Sequence, residues 1–127
     1  MTDKTVLIVE DEDNFAHALD IVLSRHGYLT RRAADGTSAL AALTDGSIDV
    51  VLLDILLPDR SGFEICQTLR QTQGSHDIKV IMMSARGGHA ERRKGLALGA
   101  DAFLSKPFPT SDMIHEIDSL TGKDRDA

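Results

Sequence analysis

The stretch Val50-Val51-Leu52-Leu53-Asp54 decides how the rest of this chain is read. Unbroken apolarity over so few residues predicts a strand buried on both faces, as in parallel sheets covered by helices, and here the strand closes on a carboxylate. Two other runs have the same character. Val6-Leu7-Ile8-Val9 leads into Glu10-Asp11-Glu12-Asp13, and Ile78-Lys79-Val80-Ile81-Met82-Met83 leads into Ser84. Tyr28 to Arg32 is a weaker strand candidate, and Ala102 to Leu104 is a short last one before Lys106-Pro107.

Between these runs the apolar period becomes helical. Phe15, Leu19, Val22, Leu23 and His26 share one face, with Gly27 placed to end the helix. Ala39, Leu40 and Leu43 form a second stripe that stops near Asp45-Gly46. A third, with Gly62, Ile65, Cys66 and Leu69, follows the turn residues Pro58-Asp59-Arg60-Ser61. A fourth helix is predicted from about His89 to Leu98, ending at Gly99, and a fifth presents Met113, Ile114, Ile117 and Leu120. Parallel strands need crossover connections, so the expected architecture is an open, doubly wound α/β sandwich with helices on both faces.

Composition agrees with one such unit. The 127 residues suffice for one ordinary domain, and 42% hydrophobic with 27% charged residues is globular rather than disordered. Aromatics supply only 4% and Trp is absent, so the core must be built from Val, Ile, Leu, Ala and Met. With 14 basic and 20 acidic residues the net charge is −6, which argues against direct nucleic-acid binding through phosphates. The single Cys66 has no intrachain partner and reads as a small buried hydrophobe on a helix. A reducing, cytoplasmic location is expected. The apolar run Val6–Val9 is too short for a signal-peptide core or membrane insertion.

In open α/β sheets the working site lies beyond the carboxyl ends of the strands. This sequence places Glu10 and Asp11, Asp54, Ser84 and Lys106 there. Carboxylates about 4 Å apart repel by roughly 4 kcal/mol at an effective dielectric near 20, so a cation is required among them. Oxygen-only ligands open to water suit Mg²⁺. A lysine and a serine hydroxyl can each bind a phosphoryl oxygen, and Asp54 can act as a nucleophile that becomes an acyl phosphate.

Four segments carry a family likeness: Val6-Leu7-Ile8-Val9-Glu10-Asp11, Leu53-Asp54-Ile55-Leu56-Leu57-Pro58-Asp59-Arg60-Ser61-Gly62, Met83-Ser84-Ala85-Arg86, and Gly99-Ala100-Asp101-Ala102-Phe103-Leu104-Ser105-Lys106-Pro107-Phe108. In this order they resemble the receiver domain of two-component response regulators, the CheY-like superfamily. The resemblance implies a flavodoxin-like (βα)5 three-layer sandwich with strand order 2-1-3-4-5, an order the general rule for such sheets already illustrates with CheY. It implies Asp54 as phosphoacceptor, and Mg²⁺ held by Asp11, Asp54, the backbone carbonyl of Leu56 and, mainly through water, Glu10. Ser84 and Lys106 would contact the phosphoryl group. Ser84 and Phe103 would be the switch residues, Leu56 and Arg86 would modulate hydrolysis, and Lys106-Pro107 would be a cis peptide. The implied partners are a histidine kinase or histidine phosphotransfer protein, and a downstream protein or an output domain in a longer chain.

Some features depart from the family pattern. Position 84 is Ser where many relatives have Thr, and either hydroxyl can donate. The predicted last helix carries Asp112, His115, Glu116 and Asp118 but no Lys or Arg, so the usual dimer salt-bridge network, including a basic partner for Asp101, lacks its basic half. Arg92, Arg93 and Lys94 could pair with Glu116 or Asp118 instead, at only about 0 to 1 kcal/mol for exposed pairs, and the cluster reads as a solvated helix face or a protein-docking patch rather than a nucleic-acid site. The Gly87-Gly88 pair fits either an ordinary loop or a hinge.

The expected function is phosphoryl acceptance and signalling through the face of the fourth helix, fifth strand and fifth helix, with slow self-dephosphorylation rather than enzymatic turnover. A phosphorelay intermediate that passes the group onward is the alternative within that class. An aspartate-nucleophile phosphohydrolase would usually have a second Asp where Leu56 stands. A nucleotide or flavin binder would need a Gly-rich phosphate loop that is absent. The receiver is expected over residues 1–120, with 121–127 a polar tail and no output domain in this chain.

Overall fold

The computed structural model describes residues 4–72, 77–85 and 88–122. Five strands and five helices alternate along it: β1 (Thr5–Val9), α1 (Asp13–Arg25), β2 (Leu29–Ala33), α2 (Gly36–Leu43), β3 (Val50–Asp54), α3 (Gly62–Gln71), β4 (Lys79–Ser84), α4 (His89–Ala97), β5 (Ala102–Ser105) and α5 (Thr110–Thr121). The strands form one sheet of order β2-β1-β3-β4-β5, every pairing parallel. The order reverses between β1 and β3, which opens a crevice at their carboxyl ends.

Strand parity sorts the core into two layers. Leu7, Val9, Val51, Leu53, Val80, Met82 and Phe103 pack with Ala39 and Leu43 of α2 and Ile65, Cys66 and Leu69 of α3. Val6, Ile8, Val50, Leu52, Ile81, Met83 and Leu104 face the other way, onto Ala16, Leu19 and Leu23 of α1 and Met113, Ile114 and Ile117 of α5. Each full burial of such a side chain contributes about 1.5–3 kcal/mol. The weak reading of β2 has a physical reason: it is an edge strand, and only Ala33 of its five residues is buried.

Helix ends follow from short-range chemistry. Glu12 accepts from the amides of Asn14 and Phe15, Asp35 from Ser38 and Ser61 from Phe63, which caps α1, α2 and α3. Gly27, with φ of 87°, takes the left-handed turn after α1. Helix α5 runs through Thr121 and ends on Gly122, which takes the left-handed conformation as its C-cap. Cys66 is fully buried on α3, and burial pushes its thiol pKa up. Among the described residues no helix is long and apolar enough to cross a membrane.

Candidate functional site

Parallel pairing sets the strand ends side by side. Val9 is in register with Leu53, and Asp54 with Met83, so Glu10 and Asp11 emerge beside Asp54, and Ser84 lies one residue beyond the partner of Asp54. Glu10, Asp11 and Asp54 each bring a carboxylate oxygen within 4.8 Å of the others. Glu10 and Asp54 are buried at 1% and 6% exposure, whereas Asp11 is exposed, so the cluster is open to water on one side.

Lys106 supplies the cation that this cluster needs. Its Nζ donates to Glu10 Oε1 at 2.7 Å and to Asp54 Oδ2 at 3.0 Å. The cis Lys106-Pro107 peptide follows β5 directly. Burial raises the Glu10 carboxyl above its ordinary value, and the nearby Asp54 charge adds to this, against the hydrogen bonds from Lys106 and the Glu12 amide. Burial pushes Lys106 down, but its hydrogen bonds to Glu10 and Asp54, with their charges, outweigh that and leave it raised. The ammonium also sits 4.5 Å over the ring of Phe15, which meets Phe108 edge to face.

The loop after β3 is tightly set. The amide of Leu56 donates to Asp54 Oδ1 at 3.1 Å, and the Leu56 side chain is 60% exposed. Gly62 returns the chain so closely that a Cβ there would lie 2.4 Å from the Asp54 carbonyl oxygen. Asp59 reaches across to α2, accepting from the Gly36 amide at 2.7 Å and from the amide and hydroxyl of Thr37 at 3.0 and 2.8 Å. These bonds, the Gly36 amide foremost, lower its pKa to about 2.

On the β4 side, Ser84 is buried and its hydroxyl donates to Glu91 Oε1 of α4 at 2.9 Å. Phe103 is buried beneath α4, with Arg92 5.8 Å over its ring and Gly95 against it. Arg86 and Gly87 lie outside the described residues.

The structure thus brings Glu10, Asp11, Asp54 and Lys106 into one site and sets Leu56 and Ser84 beside it, while Phe103 lies beneath α4. Sequence reading missed four contributors: Phe15 under Lys106, Glu91 at Ser84, Asp59 on α2, and Arg32, whose guanidinium grips the β1–α1 loop. Phe15 and Asp59 stood in quoted motifs, but only as a helix-stripe residue and a turn former. The optional pairing of the α4 cluster with α5 does not form. Among the described residues no ion pair joins Arg92, Arg93 or Lys94 to Glu116 or Asp118, because Arg92 lies over Phe103, Lys94 lies 4.6 Å over Phe63, and Asp118 accepts from Tyr28. Asp101, without a basic partner on α5, pairs with Arg70 of α3 at 2.9 Å and accepts from the Val80 amide.

The oxygen-only donor set fits a hard divalent ion. Adjacent ligands of octahedral Mg²⁺ stand about 3.0 Å apart and opposite ones about 4.2 Å at bond lengths near 2.1 Å, so the three carboxylate oxygens, all within 4.8 Å of one another, would draw in around an ion.

Comparison with known proteins agrees with this geometry. The family model described as the response regulator receiver domain matches residues 6–118. Sensory transduction protein RegX3 of Mycolicibacterium smegmatis is 37% identical over 122 residues, which covers 96% of this chain and 52% of that protein. The chain therefore spans about half the length of the curated relatives it matches. Among solved structures, the receiver domain of Francisella response regulator 1452 superposes with a TM-score of 0.89 at 27% identity, covering 95% of this chain and 98% of that one. The receiver domain of sensor histidine kinase PA1611 from Pseudomonas aeruginosa, solved with a magnesium ion in its active-site cleft, has a TM-score of 0.87. At 23% identity, with 95% and 99% of the two chains covered, it speaks to fold alone.

Proposed function

The chain belongs to the response regulator receiver domain family, and from that membership we propose that Asp54 is the carboxylate that accepts a phosphoryl group from a phosphohistidine. The donor is a histidine kinase or a histidine phosphotransfer protein in the cytosol. The observation that carries this reading is Lys106 bridging Glu10 and Asp54 inside an oxygen-only cluster that is open to solvent at Asp11.

In the transfer, an Asp54 carboxylate oxygen bonds to phosphorus as the histidine nitrogen–phosphorus bond breaks. The bonding pair stays on the imidazole nitrogen, which takes a proton. The Leu56 amide orients Asp54 through Oδ1, and Lys106 offers its ammonium to a phosphoryl oxygen. The Ser84 hydroxyl donates to a second oxygen after leaving Glu91. Glu10, Asp11, Asp54 and the Leu56 carbonyl would hold Mg²⁺, which supplies positive charge beside the transferring group. Ser84 and Phe103 pass the change to the face of α4, β5 and α5, read by a protein partner or by an output domain of a longer chain.

Incubation with Mg²⁺ and a small phosphodonor tests this. The expected result by intact mass is one added phosphoryl group, removed by hydroxylamine and absent from Asp54→Asn. Phosphorylation that persists in Asp54→Asn would overturn the assignment.

The exposed, apolar Leu56 cannot orient an attacking water by hydrogen bonding. Phosphorylated protein should therefore decay more slowly than its Leu56→Asn variant, measured side by side. Equal or slower decay in the variant would remove Leu56 from hydrolysis control.

A further inference from the structure

Arg32 of β2 reaches over to the β1–α1 loop. Its Nε and Nη2 both donate to the carbonyl oxygen of Glu10, at 3.1 and 2.7 Å, while Nη1 donates to Asp13 Oδ1 at 2.7 Å. Asp11 lies between those two gripped residues. The same segment is fixed by the Glu10 amide on the Ala33 carbonyl at 3.1 Å and by the Glu12 amide on Glu10 Oε2 at 3.1 Å. The Asp13 carboxylate is 87% exposed, so its ion pair is worth only about 0–1 kcal/mol. The stronger element is the two-point, charge-assisted grip on the carbonyl by a guanidinium whose side chain is only 33% exposed.

We propose that Arg32 is a positioning residue for the cation site, fixing the β1–α1 loop so that the Asp11 carboxylate converges on Asp54. This rests on the reading of Glu10, Asp11 and Asp54 as the Mg²⁺ site. Charge and positioning predict opposite signs. As a positive charge beside the acidic run Glu10 to Asp13, Arg32 opposes a bound cation, and its removal would tighten binding. As a clamp it preorganises a ligand, and its removal weakens binding. A partner that orients a metal ligand is typically worth about tenfold or more in affinity.

The test is calorimetric titration of Mg²⁺ into wild type, Arg32→Ala, Arg32→Lys and Asp11→Asn, with circular dichroism to establish that each is folded. Wild type should bind one ion and Asp11→Asn should lose it. Arg32→Ala should raise Kd about tenfold at unchanged stoichiometry. Arg32→Lys, which keeps the charge but not the fork, should fall between. A Kd for Arg32→Ala at or below wild type overturns the proposal, even if the variant melts lower, because a purely structural role would lower Tm without moving Kd. Should Arg32→Ala not fold, Arg32→Lys is scored the same way. Absence of Mg²⁺ binding by wild type would instead overturn the reading of the site itself.

Discussion

Helices α3 and α4 both follow strands whose last residue belongs to the site, Asp54 before one and Ser84 before the other, yet they are held by different means. Helix α3 buries Gly62, Ile65, Cys66 and Leu69, and Ser61 caps it. Helix α4 buries only Gly95, and its N-cap residue Gly88 makes no side-chain cap. The ties of α4 are instead polar and aromatic: Glu91 to Ser84, Arg92 over Phe103, Lys94 over Phe63. Such contacts are worth about 1 kcal/mol each, against 1.5–3 kcal/mol for a buried aliphatic side chain. The helix after Asp54 is therefore fixed by burial, while the helix after Ser84 is fastened by polar and aromatic contacts. On the proposed function, a Ser84 hydroxyl that turned to phosphate would leave Glu91, and α4 would lose that fastening.

Core truncation should expose this difference most strongly. Ile65→Ala on α3 should cost up to about 5 kcal/mol, whereas Leu96→Ala on α4, 44% exposed, should stay within about 0.5 kcal/mol by denaturant titration. Comparable losses at the two positions would erase the distinction. Paired glycine substitutions sharpen it further. Gly62→Ala sets a Cβ 2.4 Å from the Asp54 carbonyl oxygen and 2.8 Å from Ile55 Cα, backbone atoms that cannot swing aside, and should cost about 3 kcal/mol. Gly95→Ala meets Met82 Sδ at 2.7 Å, but a thioether can turn away and alanine favours the helix by about 1 kcal/mol. Its net effect should lie within about 1 kcal/mol, and a loss as large as that of Gly62→Ala would mean that α4 is packed as rigidly as α3.

The smallest effect concerns the fastening of the acceptor loop to α2. Asp59 has a native pKa lowered from the ordinary 3.8 to about 2, so the unfolded chain binds more protons in that interval. Its contribution is complete above 3.8 and disappears as pH falls towards 2. Tm of wild type should exceed that of Asp59→Ala at neutral pH and converge with it in acid. Because Asp59 is fully exposed the gap should be modest, and a gap that survives at pH 2 would rule out the charged cap as its source.

Much of this arrangement is legible in the residues themselves. The runs at Val6, Val50 and Val80 announce doubly buried strands because nothing polar interrupts them, and the carboxylates and the serine that close them point to chemistry where they end. Strand order is different: alternation demands crossovers but does not choose among neighbours, and the order came from the family likeness. Edge strand β2 reads weakly because it buries so little. The roles of Arg32, Asp59 and Glu91 depend on partners 22, 23 and 7 residues away, joined only once the sheet has formed. Charge alone suggested acidic partners on α5 for the α4 cations, but the side chains of Arg92 and Lys94 meet the rings of Phe103 and Phe63 instead.

Tyr28 has a practical consequence. It is the only tyrosine in a chain without tryptophan, it is 3% exposed, and its hydroxyl is bonded to Asp118 and Thr121. It precedes β2, at the end of the sheet opposite the carboxylates, roughly 16 Å away by the rise of a five-residue strand. Ultraviolet emission from this protein therefore reports the docking of α5 against the segment that precedes β2. Melting curves recorded by tyrosine fluorescence with and without Mg²⁺ follow unfolding through a chromophore that the ion does not touch.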